Sequence, residues 1–295
     1  MLSILIPVYN YNVVSLAERL HNMALEAEII FEIICIDDAS ELFLQKNQQI
    51  NQLQNASFTT LPKNIGRSAI RNSLAKKAIY ENLLFLDADT FPVHQDFLSN
   101  YIAQIDNCEK IVYGGILYES IKPSKEELLR WVYGTKREAL SVFERNKNAY
   151  LSFLTLNFLI TKSVFSKVAF NENIANLRHE DTLFSFELKQ NSIEVLHIEN
   201  PVYHLGLESS ETFLRKSEEA VLGLKNLVNA QLISTDYVKL SSYFQMVKKY
   251  RLRPLIAFGF KITKPLFVKQ LLGTKPSLLL FDLYRLGYYC NLKTN

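Results

Sequence analysis

The chain has 295 residues, 48% of them hydrophobic, enough to bury the core of one large domain or of a domain with an appendage. Its 33 basic and 30 acidic residues leave +3, yet ten Lys and Arg against one acid, Asp282, fall between Lys248 and Lys293, so this tail carries +9 and Met1–Val247 carries −6. Three scattered cysteines, Cys35, Cys108 and Cys290, exclude a disulfide framework and a cysteine metal site. No stretch approaches the ~18 apolar residues of a membrane span. The first residues lack the basic start and apolar stretch of a signal peptide. The expected location is therefore the cytoplasm.

In chain order, Leu2–Pro7 reads as a strand and Asn12–Ala27 as a helix with Val13, Leu16, Ala17, Leu20, Met23 and Ala24 at helical spacing. Phe31–Ile36 is a second apolar strand, Glu41–Leu53 a helix, Ser57–Leu61 a third strand, Ser68–Glu81 a helix and Leu83–Leu86 a short strand. Strands alternating with helices predict a parallel sheet covered on both faces. Further on, Ile111–Leu117 and Tyr150–Thr161 read as strands around a helix over Ser124–Arg145. His179–Lys189 reads as a helix, Ile193–Ile198 as a strand and Glu211–Leu232 as a helix. Neither an internal repeat nor a low-complexity tract interrupts the pattern.

Ligands of open parallel sheets bind beyond the carboxyl ends of the strands, which directs attention to the polar residues after each apolar run. Pro7-Val8-Tyr9-Asn10 follows the first, where the tyrosine ring could stack on a base or simply occupy a turn. Asp37-Asp38-Ala39-Ser40 follows the second, suited to hydrogen-bonding a base or ribose and equally to capping a helix. Asn64-Ile65-Gly66-Arg67, with Arg71 and Asn72, opens a helix. There a glycine permits close backbone approach and arginines neutralise phosphate, although a solvated turn accounts for the same residues. Asp87-Ala88-Asp89 follows Leu83–Leu86. Read as extended, it aims both carboxylates one way. Paired hard oxygen donors suit Mg²⁺ or Mn²⁺. His179-Glu180-Asp181 stands at a helix start, where acids gain from the dipole and one could act as a general base.

In this order the five clusters resemble the family 2 glycosyltransferases, across about residues 1–207. The resemblance implies an α/β fold of the GT-A type: a Rossmann-like, mostly parallel central sheet with helices on both faces, followed here by a helical C-terminal extension. It implies a nucleotide-sugar half at 1–95, an acceptor half at 96–207 and a basic extension at 208–295. By the same resemblance Pro7, Tyr9 and Asp38 line the nucleobase pocket with Asp37 nearby. Gly66, Arg67 and Arg71 sit by the ribose and diphosphate. Asp87 and Asp89 form the acid-x-acid motif holding Mn²⁺ or Mg²⁺, with Ala88 between them at the donor. Asp181 is the catalytic base with Glu180 assisting, and His204 is a looser match to a histidine that completes the metal shell in some relatives. The implied activity is inverting transfer of a sugar from a nucleotide-diphosphate donor to a saccharide or lipid-linked acceptor hydroxyl, in polysaccharide or glycoconjugate synthesis.

On the acceptor side, Trp131 and Tyr133 could form a stacking platform or belong to the core. The basic tail, cut by Pro254, Pro265 and Pro276, could lie peripherally on an anionic membrane at the inner face of the cytoplasmic membrane, or pack on the body. No nucleic-acid fold signature accompanies its charges. Three rival readings are a haloacid dehalogenase-type phosphohydrolase, from Asp87-Ala88-Asp89-Thr90, a nucleotidyltransferase, and a non-catalytic nucleotide-sugar-binding protein. The first places its Thr or Val where this chain has Phe91, and the second needs a glycine-rich basic loop after the first strand, where none is found.

Overall fold

A computed structural model describes residues 1–174 and 178–293. The chain forms two compact units, one of Met1–Leu117, Ala139–Asn173 and Glu180–Gly206, the other of Tyr118–Glu138, Ile174–His179 and Leu207–Asn295.

The first unit begins with β1 (Leu2–Val8), α1 (Val14–Glu26) and β2 (Phe31–Asp37). One α-helical turn, α2 (Leu44–Asn47), runs into a 3₁₀ turn, Gln48–Gln52, where the periodicity predicts a single helix. Phe43 is left-handed at φ 63°. The Asn47 side chain accepts from Val13 N at 3.0 Å and donates to Tyr11 O at 2.9 Å, fixing the turn by tertiary bonds rather than helix propagation. β3 (Ala56–Thr60), α3 (Arg67–Lys77) and β4 (Asn82–Leu86) follow. α3 stops short of the expected Glu81, because Ala78 is extended at ψ 137° and turns the chain into β4. Then come β5 (Thr90–Pro92), α4 (Phe97–Ile102), β6 (Lys110–Tyr113) and β7 (Ile116–Leu117).

The expected strand Ile111–Leu117 is broken at Gly114-Gly115. Gly115 has φ +99°, and a Cβ on Gly114 would meet Asn200 O at 2.2 Å. The expected helix Ser124–Arg145 is also divided, into a 3₁₀ turn Lys125–Glu127, α5 (Leu128–Tyr133), a π turn Gly134–Glu138 and α6 (Val142–Asn146). α6 has its own start, since Ser141 Oγ accepts from Glu144 N at 3.3 Å. β8 (Asn157–Thr161) is shorter than Tyr150–Thr161. The apolar Tyr150, Phe153 and Leu154 pack in the core from a turn, not from a ladder. α7 (Lys162–Lys167), α8 (Glu180–Gln190), β9 (Glu194–His197) and β10 (Val202–His204) complete the unit.

Seven strands make the main sheet in the order β3-β2-β1-β4-β8-β6-β9. β8 alone runs antiparallel to its neighbours. Alternate residues of the first strands enter opposite cores. Ile4, Ile6, Ile33, Cys35, Leu84 and Leu86 pack with α1 and α4. Leu5, Ile34, Ile36, Leu83 and Phe85 pack with α3, α7 and α8. Burial on both faces is why these strands read as unbroken apolar runs. The chain leaves β1 for β2 on one side and reaches β4 on the other, creating the switch point beside β1 where such sheets bind ligands. A second sheet, β5-β10-β7, stands after β4.

The second unit is helical. It contains α5 and α9 (Ser210–Asn229), α10 (Lys239–Lys249), α11 (Arg253–Leu271) and α12 (Leu278–Asn291). Leu129, Leu214, Phe260, Leu271, Phe281 and Tyr284 form its core. Pro265 does not divide the tail as its sequence suggests. α11 continues through it, and only Pro254, at the start of α11, and Pro276, before α12, mark boundaries.

Candidate active site

The site grows from the carboxyl ends of β1, β2 and β4. Pro7 lies within β1 and Tyr9, just past its end, is 58% exposed, leaving its ring available for stacking. Asp37 is fully buried, and both its oxygens serve Ser40: Oδ1 accepts from the backbone N–H at 2.9 Å and Oδ2 from the hydroxyl at 2.5 Å. Ser40 Oγ in turn accepts from Asn10 N at 2.7 Å, so this acid ties the ends of β1 and β2 together. Asp38 reaches the next loop. Its Oδ1 accepts from Ile65 N at 2.7 Å and its Oδ2 from Gly66 N at 2.9 Å. Both acids thus shape the rim. Gly66 adopts φ 84°, a left-handed value that suits glycine, and starts α3. Non-glycine residues with positive φ, Asn10 (50°) and Ala39 (58°), stand at the same strand ends, the kind of backbone strain that collects at binding sites.

α3 presents Arg67 and Arg71 one turn apart. Arg71 is 5% exposed and donates through Nη2 to Asp87 Oδ1 at 2.7 Å, with its guanidinium 5.5 Å from the Phe170 ring. Its Nε is buried without a hydrogen-bond partner. Arg67, half exposed, donates to Glu180 Oε1 at 3.1 Å. Two arginines of one helix therefore connect the acid after β4 with the acids opening α8.

Asp87-Ala88-Asp89 is not extended, contrary to the sequence expectation. Asp87 O accepts from Thr90 N at 3.1 Å and from Thr90 Oγ1 at 2.7 Å, closing a turn. Ala88 is buried inside it, while the Asp87 and Asp89 carboxyls stay about one third exposed. Burial raises the Asp87 pKa, Arg71 opposes the rise and Asp89 adds to it. The turn feeds β5, which pairs antiparallel with β10 and sets His204 opposite Thr90. His204 Nε2 consequently comes to 3.4 Å from Asp89 Oδ2.

Gly206 is a site residue that sequence reasoning missed. A Cβ there would lie 2.2 Å from Asp89 Oδ2, and Leu205 N donates to Asp89 O at 2.8 Å. A lone glycine after a strand carries no motif.

At the head of α8, Arg178 and His179 are both left-handed, φ 67° and 75°, immediately before the acids. Burial opposes ionisation of Glu180, but Arg67 and Arg71 outweigh it and lower its pKa. For Asp181 burial comes first and the Glu180 charge second, and together they raise its pKa to about 6. Its Oδ1 accepts from Thr182 N at 2.7 Å. Of the two acids opening α8, Asp181 is therefore the more basic.

Among the described residues no group of three or more His, Cys, Asp or Glu side chains is arranged to hold a metal ion. The chemistry of the donors nevertheless fits a hard divalent cation, because Mg²⁺ and Mn²⁺ accept one or two carboxylates and complete their shells with water and phosphate oxygens. Asp87 and Asp89 are two such groups, each raising the cost of the other's charge. Of the two aromatics read as a stacking platform or as core, Tyr133 packs against Phe213 and Phe281 in the helical core, and Trp131 Nε1 donates to Glu119 O at 2.9 Å.

The family model Glycosyl transferase family 2 matches residues 3–172. Comparison with curated proteins gives no match. Among solved structures, the chain is similar to S. aureus TarS at 17% identity and TM-score 0.53, covering 97% of this chain and 54% of that one. It is also similar to S. aureus TarS 1-349 in complex with UDP-GlcNAc, at 19% identity and TM-score 0.50, covering 76% and 66%. The mannosyltransferase PcManGT from Pyrobaculum calidifontis, in complex with GDP-Man and Mn²⁺, gives 12% identity and TM-score 0.56, covering 97% and 85%. The chain thus spans between half and two thirds of these two TarS structures. At such identities the likeness is one of fold, and these neighbours are GT-A glycosyltransferases.

Proposed function

We propose, from the premise that the chain belongs to glycosyl transferase family 2, that it moves a sugar from a nucleotide-diphosphate donor to an acceptor hydroxyl with inversion at the anomeric carbon. Membership sets aside the phosphohydrolase and nucleotidyltransferase readings. The observation that carries the proposal is the charge array itself: Arg67 and Arg71 on one helix join the carboxylates after β4 to those opening α8. Acids far apart in sequence thereby border one place, with arginines between them.

Tyr9 offers a ring to the base, and Asp38 holds the Ile65–Gly66 backbone against which the ribose and diphosphate would lie. Arg67 and Arg71 supply positive charge to the diphosphate as it departs, stabilisation of a kind that grows toward the transition state. Asp181, with its pKa near 6, is ionised at neutral pH yet basic enough to take the acceptor proton. The acceptor oxygen then bonds to the anomeric carbon from the face opposite the diphosphate. The carbon–oxygen bond to the diphosphate breaks, and its electron pair leaves on the phosphate oxygen. Asp87 and Asp89, with His204 beside Asp89, would hold Mn²⁺ or Mg²⁺, which would supply further charge neutralisation to the leaving group. The acceptor is a saccharide or lipid-linked hydroxyl of a polysaccharide or glycoconjugate.

The test follows nucleotide release from a panel of nucleotide sugars, with Mn²⁺ or Mg²⁺ and saccharide acceptors. The wild type should consume one donor, and Asp181→Asn should lose about 10²–10⁴-fold in turnover. Full activity in Asp181→Asn removes this residue as the base. Donor binding without nucleotide release by the wild type makes the chain a nucleotide-sugar-binding protein instead.

A further inference from the structure

α11 is apolar on two opposite sides. Its inner side carries Phe260 and Leu271 into the helical core, with the Phe260 ring so close to Gly287 that a Cβ there would approach within 2.5 Å. Its outer side repeats at helical spacing and is open: Leu255 is 66% exposed, Phe258 65%, Ile262 62% and Leu266 67%. From Leu255 to Leu266 this stripe is about 16 Å long. A helix facing water on one side ordinarily puts polar residues there, and an apolar stripe of this size marks a contact surface.

The charges on α11 have one sign. α11 contains no acid, and Lys261 and Lys269 are exposed on the outer side among the apolar residues. In the same unit Glu218 is paired by Lys264 at 2.8 Å, Glu219 by Arg215 at 2.5 Å and Asp282 by Arg137 at 2.8 Å. Lys248, Lys249, Arg251, Lys261, Lys269 and Lys275, by contrast, are exposed and form no salt bridge among the described residues. These acids are thus matched, while the basic tail keeps a surplus that includes Lys261 and Lys269 on α11 itself.

We propose that the outer face of α11 seats the chain on an anionic membrane surface. Apolar side chains enter the boundary between headgroups and acyl chains while the interleaved lysines meet lipid phosphates. A second copy of the chain is the poorer occupant. A two-fold contact along this face would set lysine against lysine, with no acid of α11 to balance them. The helix lies on the bilayer and does not cross it, since among the described residues no helix is long and apolar enough to span. The inference goes beyond the catalytic proposal and draws on none of the residues that carry it.

The experiment is co-sedimentation of the full chain with phosphatidylcholine vesicles, with and without phosphatidylglycerol, at low and high salt. The wild type should pellet with the anionic vesicles at low salt and leave them at high salt. Lys261→Gln with Lys269→Gln should weaken binding by roughly fivefold per lysine. Phe258→Ser with Ile262→Ser should abolish it, and both variants should keep the wild-type melting temperature because the side chains changed are exposed. A wild type that stays in the supernatant with anionic vesicles at low salt overturns the proposal. So do lysine variants that bind undiminished. A dimer of the wild type that the serine variant dissociates, with no vesicle binding, assigns the face to a second copy and equally overturns it.

Discussion

Asp181 shows how one carboxyl can be costly for folding and still useful. Burial and the neighbouring Glu180 charge raise its pKa to about 6 from 3.8. A raised carboxyl favours the folded state below pH 3.8, and that contribution is lost as pH rises through about 6, where the ionised form becomes a cost. Asp181→Asn should therefore raise the melting temperature at pH 8, by on the order of 1–3 kcal/mol in stability. The gain should shrink between pH 6 and pH 4. Turnover of the wild type should rise with pH through the same region and level off above it, because only the ionised acid accepts a proton. A stability gain in Asp181→Asn that is flat with pH would show that the shift lies elsewhere. Gly206 acts on the other acid. A methyl group there must displace the Asp89 carboxylate, whose Oδ2 would be 2.2 Å away. That oxygen ends a side chain and can move, so Gly206→Ala should leave the melting temperature nearly unchanged. It should nonetheless weaken activation by Mn²⁺ about tenfold or more, read from a cation titration of nucleotide release. Unchanged activation would free Gly206 from any part in placing Asp89.

Elements were legible in the sequence where one physical signal ruled them. β1, β2 and β4 are buried on both faces, so each is a continuous apolar run, and the acids marking their carboxyl ends are the ones the structure brings to the rim. Where tertiary contacts decide, the pattern misleads. Tyr150, Phe153 and Leu154 are apolar enough for a strand yet pack from a turn. Asp87-Ala88-Asp89 turns because Thr90 returns to the Asp87 carbonyl, a bond no local spacing announces. Gly114-Gly115 divides β6 from β7 to make room for Arg145, which is 1% exposed and donates to Ile198 O at 2.9 Å and to Tyr113 O at 3.3 Å. Its charge reads as surface in a sequence, and only the fold reveals its partners. Arg145→Met keeps the stem but takes the guanidinium from Ile198 O, while Tyr113 O keeps the Ile198 N–H at 3.0 Å. The loss should cost about 1–3 kcal/mol, seen as a lower urea midpoint at unchanged slope. Pro265 is the converse case, a helix breaker that the helix tolerates. It stands on the exposed side of α11 and, having no N–H, cannot make the helical hydrogen bond to Lys261 O.

The whole molecule sets a −6 segment, Met1–Val247, against a +9 tail, and the carboxylate pair after β4 contributes to the first. Asp87 has Arg71 as an ion-pair partner, and Asp89 lies beside His204 at 3.4 Å. A divalent cation on this pair would relieve the repulsion and at the same time create a seat for the diphosphate, so cation and donor should bind with mutual support. That coupling can be read without any acceptor. A bound ligand at a hundredfold excess over its Kd adds about 2.7 kcal/mol to apparent stability, and each kcal/mol raises the melting temperature of a domain of 150–250 residues by about 2–4 °C. The matching nucleotide sugar with Mn²⁺ should therefore raise the melting temperature by roughly 5–10 °C, and with EDTA by distinctly less. In Asp89→Ala the cation-dependent part should vanish while the part due to base and ribose contacts persists. If the shift with EDTA equals the shift with Mn²⁺, the two carboxylates hold no cation at the diphosphate, and the arginines of α3 must neutralise it alone.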